Sequence, residues 1–505
     1  MNTNKLLYID HAFAKRAGGE KEEHLALLAT LFASSRQGHL ALDLSTHPHL
    51  LADADTLASP FVCKYGNLLY LKKNWIYETE ILKHLDRLHH YPPLIELKPS
   101  ADMKLNFAQR QAVEMAMKNS LMLLSGGPGT GKTFTAAAFV KACVGLRVVL
   151  TAPTGKAVAQ LEGNLRASLS ESASIRAGTL HALLGIKEYD REEEEINELL
   201  ADLIIVDECS MIDARIFSRL LASVPSGARL LLIGDKNQLP PIEAGSVFAD
   251  LIDAAVYPYV HLTECLRSDR SEILTVAEQI KQGNGAAVQK SDSWVDLAEK
   301  KITPADLWEE CRDRFTNYEL EKPDPEQVLS MIGRFSLLSS MRQGPLGVEA
   351  INRHFLYQSL KTVPEGAWWI APIMITRNDY DLELYNGDLG VLVRKCSKDF
   401  SLRELSLEDY AWFPRRKESI SALALSSFEY SYCLSIHKSQ GSEYDETVIL
   451  IPPGSECFGR EAIYTAVTRT RQKMTLMCSA EMLLQSISTS SKKMSGIVQR
   501  LHKTF

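Results

Sequence analysis

No stretch of this chain stays apolar long enough to cross a bilayer. Its N-terminus, MNTNKLLYIDHAFAKRAGGEKEEH, has no apolar run of signal-peptide length. The expectation is a cytoplasmic protein with no membrane partner. The nine cysteines are odd in number, scattered and never spaced as CxxC, which argues against a disulfide framework or a zinc ribbon and leaves buried thiols. Positive charge is not in excess: the formal net charge is −7, so the surface is not uniformly basic, although a local basic channel is still allowed. No internal repeat and no long low-complexity segment is visible. What is present is ordinary for a globular protein, with 45% hydrophobic and 24% charged residues. At 505 residues the chain is too long for a single core, so three or more domains are expected.

The first hundred residues hold short apolar runs and helical patterns such as EEHLALLATLFASS and ETEILKHLDRL, without a chemical motif. HYPPLIELKPS (90–100) is rich in proline and reads as an extended linker. Beyond it, LMLLS, RVVLTA, LIIVDE and RLLLIGD are short apolar runs with β-branched content, each leading into a turn or helix. That pattern predicts a parallel sheet covered on both faces. A second series starts near RFSLLSS and continues with WWIAPIMI, ETVILIPP and KMTLMCS. Between about 375 and 430 the pattern changes, and YNGDLGVLVRK and FPRRKES predict a small β insertion. The fold class expected is α/β. The domains are 1–100, then 101–330, then 331–505 with the insertion inside the last.

The residues from Gly126 to Thr133, GGPGTGKT, fit G-x-x-x-x-G-K-[ST] between a predicted strand and a predicted helix. Glycines at 126, 127, 129 and 131 let backbone N–H groups wrap a phosphate without a Cβ in the way, and the helix start adds partial positive charge. Pro128, Thr130 and Phe134 complete the loop. Lys132 is expected to reach the β- and γ-phosphates of ATP, and Thr133 to ligate Mg²⁺. The acidic half of such a site is LIIVDECSMID, where four apolar residues carry Asp207 and Glu208 to a strand's C-terminal edge. Asp207 is expected to hold Mg²⁺ through water and Glu208 to polarise the attacking water.

Three further stretches distinguish a motor from a simple hydrolase. Gln109, in LNFAQRQAV just before the loop, can both donate to and accept from an adenine edge. Gln238, in LIGDKNQLPPIEAG, can contact the γ-phosphate or the attacking water. Arg267 in LTECLRSD and Arg469 in YTAVTRTR sit where a second domain can supply a cation to the transferring phosphate, worth about 10³–10⁵ in rate. A cation taken from another domain ties hydrolysis to motion.

LNFAQRQAV, GGPGTGKT, TAPTGKAVAQL, TLHALLG, VDECSMID, GDKNQLPPIEAG, HKSQGSEYD and YTAVTRTR occur in the order of superfamily 1 helicase motifs. Within that superfamily the sequence resembles the RecD family, the alpha subunits of exodeoxyribonuclease V (RecBCD) enzymes. SMRQGPLGVEAIN, MITRNDYDLELYNGDLG and the N-terminal GHLALDLS followed by GNLLYLKKNW carry the resemblance over nearly the whole chain. It implies two RecA-like domains with ATP in the cleft between them, a small N-terminal domain that contacts partners, and an SH3-like β insertion in the second RecA-like domain. It implies that Pro153, Thr154, Lys156, Thr179 and His181 meet the DNA backbone from the first domain, and His437 and Lys438 from the second. It also implies that Gly441 and Glu443 meet the phosphate and ribose of the nucleotide. LPPIEAG lacks the base-stacking aromatic of the 3′→5′ branch, so the resemblance implies 5′→3′ movement. The implied partners are single-stranded DNA, duplex ends, and RecB-like and RecC-like subunits; a nuclease centre would belong to a partner chain. Two other readings stay open: a stand-alone RecD-like helicase, and a structural subunit with a vestigial ATP site. The acidic run YDREEEEIN reads as a solvated face.

Overall fold

The computed structural model describes the chain except residues 1–5, 19–20, 98–103, 144, 167–173, 187–196, 265–270, 317, 320, 380, 398–401, 403, 415, 417 and 505. Arg267 and nearly all of the acidic run therefore lie outside the described residues. The chain divides into two compact units. The first takes Met1–Pro153, Ala157–Leu266 and Lys492–Phe505, and the second takes Thr154–Lys156 and Arg267–Ser491.

In the first unit, β1 (Ala41–Asp43), β2 (Val62–Tyr65) and β3 (Leu68–Leu71) form a small antiparallel sheet in the order β1-β3-β2. The larger sheet contains β4 (Leu121–Gly126), β5 (Arg147–Ala152), β6 (Ser174–Thr179), β7 (Leu203–Val206), β8 (Arg229–Gly234) and β9 (Tyr259–Leu262). Its order is β6-β5-β7-β8-β4-β9 and every pairing is parallel. The apolar runs look unbroken in sequence, yet they sort by the two-residue period of a strand. Leu121, Leu123, Ile204, Val206, Leu230 and Leu232 enter one core, which they share with Ile81, Leu85 and Leu88 of the helix Lys72–His90. Met122, Leu124, Leu203, Ile205, Leu231 and Ile233 enter the core on the opposite face, with Ala136, Phe139 and Val140 of the helix Lys132–Ala142. Both faces are covered, so all six positions of β4 are buried. This fixes where β4 ends and the glycine loop begins.

The chain's last segment returns to this unit. Ile497 and Leu501 join the first core. The Leu40 N–H donates to the Met494 carbonyl (2.8 Å), and the Met494 N–H donates to Nδ1 of His39 (2.8 Å), which requires a neutral imidazole. Glu78 is fully buried. It accepts from Tyr70 OH (3.0 Å), the Gly496 N–H (3.0 Å) and Arg500 (3.2 Å), whose guanidinium lies 4.0 Å from the Trp75 ring centroid. Burial pushes the Glu78 carboxyl up despite these partners. The proline-rich stretch after residue 90 is docked too: the Leu94 N–H donates to the Gly227 carbonyl (3.1 Å), and Arg229 donates to the Ile95 carbonyl (2.6 Å).

The second unit has a parallel sheet of β10 (Trp294–Asp296), β11 (Phe335–Ser339), β17 (Cys433–Ser435), β18 (Tyr444–Ile451) and β19 (Thr470–Cys478), in the order β10-β19-β18-β11-β17. Its other sheet is antiparallel: β12 (Trp368–Ile375), β13 (Leu389–Lys395), β14 (Tyr410–Trp412), β15 (Ile420–Ser421) and β16 (Phe428–Tyr430), in the order β15-β14-β13-β12-β16.

Two expectations change. WWIAPIMI is not a strand of the second parallel sheet; it is β12, and the β insertion starts with it rather than near 375. Trp369, Ala371, Ile373 and Ile375 are buried on one face and Ile370 enters a further core on the other, so the strand is apolar on both faces and carries no sign of which sheet it joins. The structure also divides the chain at 266/267 instead of 330/331, because β10 pairs with β19 and places that segment with the second sheet.

Candidate nucleotide site

The glycine loop spans the gap between β4 and the helix Lys132–Ala142. Gly131 takes the helix N-cap position at φ 85° and Gly129 has φ 75°, both in the left-handed region where a Cβ is costly. Gly126 is confined from another direction. A Cβ there would lie 2.7 Å from Thr130 Oγ1 and 2.8 Å from the Leu262 carbonyl oxygen. The space a side chain would fill is what lets the backbone curl. Thr130 Oγ1 closes the loop on the Gly127 carbonyl (2.8 Å), and Lys132 Nζ donates to the carbonyls of Gly126 (2.8 Å) and Gly127 (3.1 Å). The ammonium is thus folded over the loop, within reach of whatever anion the loop holds. Gly127, Pro128 and Thr133 are half-buried and Phe134 is exposed.

Asp207 and Glu208 follow β7 directly, and the Asp207 N–H donates to the Thr151 carbonyl (2.9 Å), which carries the pair to the sheet's C-terminal edge. The Glu208 N–H donates to Asp207 Oδ1 (2.8 Å). Burial, reinforced by the neighbouring Glu208 carboxylate, raises the Asp207 carboxyl above its ordinary range, and Lys132 opposes the rise. Glu208 has φ 53°, a conformation that a non-glycine residue adopts at a cost of about 1–3 kcal/mol. Gln238 follows β8 and is buried, and among the described residues its Oε1 has no protein partner. Gln109 is also buried. Its Oε1 accepts the Asn106 N–H (3.2 Å), while among the described residues its Nε2 has no protein partner.

These observations fit a nucleoside triphosphate. The loop offers a cradle and a cation, two carboxylates stand at the adjacent strand end, and two buried amides each keep a polar atom unpaired. A buried polar group without a partner costs about 1–3 kcal/mol, which a bound ligand can offset. Thr133 and Asp207 are of the type that holds Mg²⁺ accompanying the phosphates.

The remaining expected residues are spread more widely. Thr179 caps the short helix Leu180–Leu183 by accepting the Ala182 N–H (3.3 Å), and His181 beside it is exposed. Pro153, Thr154 and Lys156, at the start of the helix Gly155–Arg166, are half-buried. In the second unit His437 and Lys438 form a single helical turn. The His437 ring meets Phe458 edge-on (6.1 Å between centroids), and exposed Lys438 is paired with Glu429. Gly441 has φ 72°, and Glu443 accepts from Arg471 (3.0 Å). Arg469 is buried, donating to the carbonyls of Thr465 (3.1 Å) and Ser442 (3.3 Å) and to Thr468 Oγ1 (3.3 Å).

Sequence reasoning missed Asn106, Ser125 and Thr151. The hydroxyls of Ser125 and Thr151 are buried without protein partners on the strands flanking the loop and Asp207. A serine or threonine in a strand carries no distinguishing mark. Asn106 does: N-x-x-Q before an apolar helix is a capping-box pattern.

Residues 104–299 match the AAA domain model, and residues 430–477 match the UvrD-like helicase C-terminal domain. The chain is 31% identical to RecBCD enzyme subunit RecD of Mycobacterium tuberculosis, over 96% of this chain and 92% of that protein. It is 27% identical to the RecD subunit of Haemophilus influenzae, over 90% and 83% of the two chains. With the ATP-dependent RecD2 DNA helicase of Deinococcus radiodurans it shares 31% identity, over 73% of this chain but 48% of that one. Site and sequence together define the class, an ATP-dependent DNA helicase. Within that class the chain belongs to the RecD family.

Proposed function

We propose that this chain is a 5′→3′ single-stranded DNA translocase acting as the alpha subunit of a RecBCD-type helicase–nuclease in double-strand break repair and recombination, in the cytoplasm. The observation that carries the reading is the glycine-loop site with two buried amides that each keep one atom unpaired, set in a chain that aligns over 96% of its length with a RecD subunit. Lys132 and the loop N–H groups hold the β- and γ-phosphates of ATP, and Gln109 meets the base. Thr133 and Asp207 hold Mg²⁺, which supplies charge neutralisation on the phosphates when bound. Glu208 takes the proton of the attacking water, Gln238 orients that water, and Arg469 and Arg267 offset charge on the transferring phosphoryl group. Gly441 and Glu443 meet the phosphate and ribose. Pro153, Thr154, Lys156, Thr179, His181, His437 and Lys438 bind the DNA backbone, with groups that contact phosphate without reading bases.

The two parallel sheets support two RecA-like domains, and the antiparallel sheet of β12–β16 supports an SH3-like insertion. That insertion, together with LPPIEAG in place of a stacking aromatic, supports 5′→3′ polarity. RecB-like and RecC-like partners are favoured over a stand-alone role by the share of this chain that aligns, 96% with a RecD subunit against 73% with a RecD2 helicase. Tyr8, Ile9, Phe13 and Phe61, exposed by 89%, 49%, 48% and 54%, give the N-terminal region an apolar surface of the kind that subunit contacts cover. A strand-displacement assay on duplexes with either a 5′ or a 3′ single-stranded tail tests activity and polarity together. Unwinding confined to the 5′-tailed duplex and abolished by Lys132→Ala is expected. Unwinding of the 3′-tailed duplex alone would refute the polarity, and full ATP turnover in Lys132→Ala would refute the motor.

A further inference from the structure

Gln109 can meet a base in two ways, because a primary amide presents an acceptor at one end and a donor at the other. The structure selects between them through Asn106. Asn106 caps the helix Phe107–Lys118: its Oδ1 accepts the Gln109 N–H (2.8 Å), and its own N–H donates to Gln109 Oε1 (3.2 Å). Turning the Gln109 amide over would set its NH₂ group against the Asn106 N–H, donor against donor. The orientation is therefore fixed by the backbone, and the unpaired buried Nε2 is the group left to face a ligand.

Asn106 is itself held. Its Nδ2 donates to Glu264 Oε2 (2.8 Å). Glu264 lies two residues beyond β9, whose last residue Leu262 is paired with Gly126 at the start of the glycine loop. The capping residue is thus tied on one side to the base-facing glutamine and on the other to the strand that borders the phosphate cradle.

We infer that Asn106, steadied by Glu264, is a positioning residue that sets Gln109 to donate to the acceptor nitrogen N7 of the purine. This rests on the ATP site proposed above. Gln109 Oε1 already accepts one hydrogen bond, and Nε2 is the donor that has none among the described residues. Removing the Asn106 side chain leaves its backbone N–H but deletes the cap and the link to Glu264 that hold that N–H against Gln109 Oε1, so the amide is freer to turn and the preference for a base bearing N7 falls. Chemistry at the γ-phosphate is untouched.

The test compares KM and kcat for ATP and for 7-deaza-ATP, which lacks the N7 acceptor, in the full chain with single-stranded DNA present. In the unsubstituted protein the analogue is expected to raise KM about fivefold at unchanged kcat, the scale of one neutral hydrogen bond. In Asn106→Ala the KM for ATP rises and the ratio between the two nucleotides falls toward one, again with kcat unchanged. Glu264→Ala, a change at an exposed side chain, moves the ratio the same way by a smaller amount and carries the test if Asn106→Ala does not fold. A ratio unchanged in the variant that folds overturns the inference. Failure of the unsubstituted protein to hydrolyse ATP at all would instead overturn the reading of the site.

Discussion

Replacing Arg500 by alanine should loosen the N-terminal region, and the structure sets the size of the effect. Glu78 has no exposed surface, and Arg500 is its cationic partner at 3.2 Å. Removing one member of a buried ion pair costs about 3–5 kcal/mol when the other is left charged. Tyr70 OH and the Gly496 N–H still donate to Glu78, which reduces that figure, while loss of the guanidinium from the Trp75 face adds about 0.5–2 kcal/mol. About 3 kcal/mol is the resulting expectation, or roughly a hundredfold loss of local protection from hydrogen exchange.

The sign with pH follows from the direction of the Glu78 shift. Its carboxyl is raised above 4.5 in the folded state, so the folded state takes up a proton before the unfolded state does. The group's contribution to stability is therefore complete below 4.5 and is lost as pH rises through the folded value. Without Arg500 the shift grows, so the damage is greatest at about pH 8 and shrinks toward its packing component as pH falls to 4.5. Hydrogen-exchange mass spectrometry of the segments Lys72–His90 and Ile497–Thr504, expressed as protection factors at both pH values, measures it. Unchanged protection at about pH 8 would refute the ion-pair argument. An equal loss at both pH values would show that packing alone was removed.

Gly126→Ala places a methyl 2.7 Å from Thr130 Oγ1 and 2.8 Å from the Leu262 carbonyl, and the latter can yield only if β9 shifts. Binding of a fluorescent ATP analogue should weaken at least about tenfold, the scale of one disrupted loop contact, while circular dichroism stays unaltered; affinity within twofold of the original would contradict the cradle. His39 is held near 4 instead of 6.5 by burial, with the Lys493 charge adding to the shift. The unfolded chain therefore binds the proton first: the fold is unaffected above 6.5 and loses stability as pH falls toward about 4, by about 2 kcal/mol after allowing for the ring's partial exposure. Protection of the Leu40 and Met494 amides should fall across that window and become flat in His39→Gln, and a persistent slope in that variant would assign the effect to another group.

The candidate site could be proposed from the sequence because phosphate chemistry restricts residue types at fixed spacing. Glycines, a lysine and a hydroxyl after one strand, and two carboxylates after another, can be read without coordinates. The parallel sheet of the first unit was legible for the same local reason: each run ends in a turn and leads into a helix. What escaped depends on distant partners. β12 reads like any strand buried on both faces, and only its pairing with β13 and β16 shows that it belongs to the antiparallel sheet. The Glu78 pocket closes through Gly496 and Arg500, more than 400 residues further along, and no local pattern around ETEILKHLDRL announces them. The role of Asn106 sat between these cases, visible as a capping pattern but without the orphaned amide that gives it purpose.

The return of the C-terminal segment to the first unit has a consequence for synthesis. Ile497 and Leu501 belong to the same core as Leu85 and Leu123, so that core cannot close while the ribosome is still making the second unit. The nascent protein must carry an unfinished hydrophobic face through the translation of more than two hundred residues, the whole span Arg267–Ser491. A premature stop just short of the last helix would strand that face permanently, even though the glycine loop, Asp207 and Glu208 had already been made.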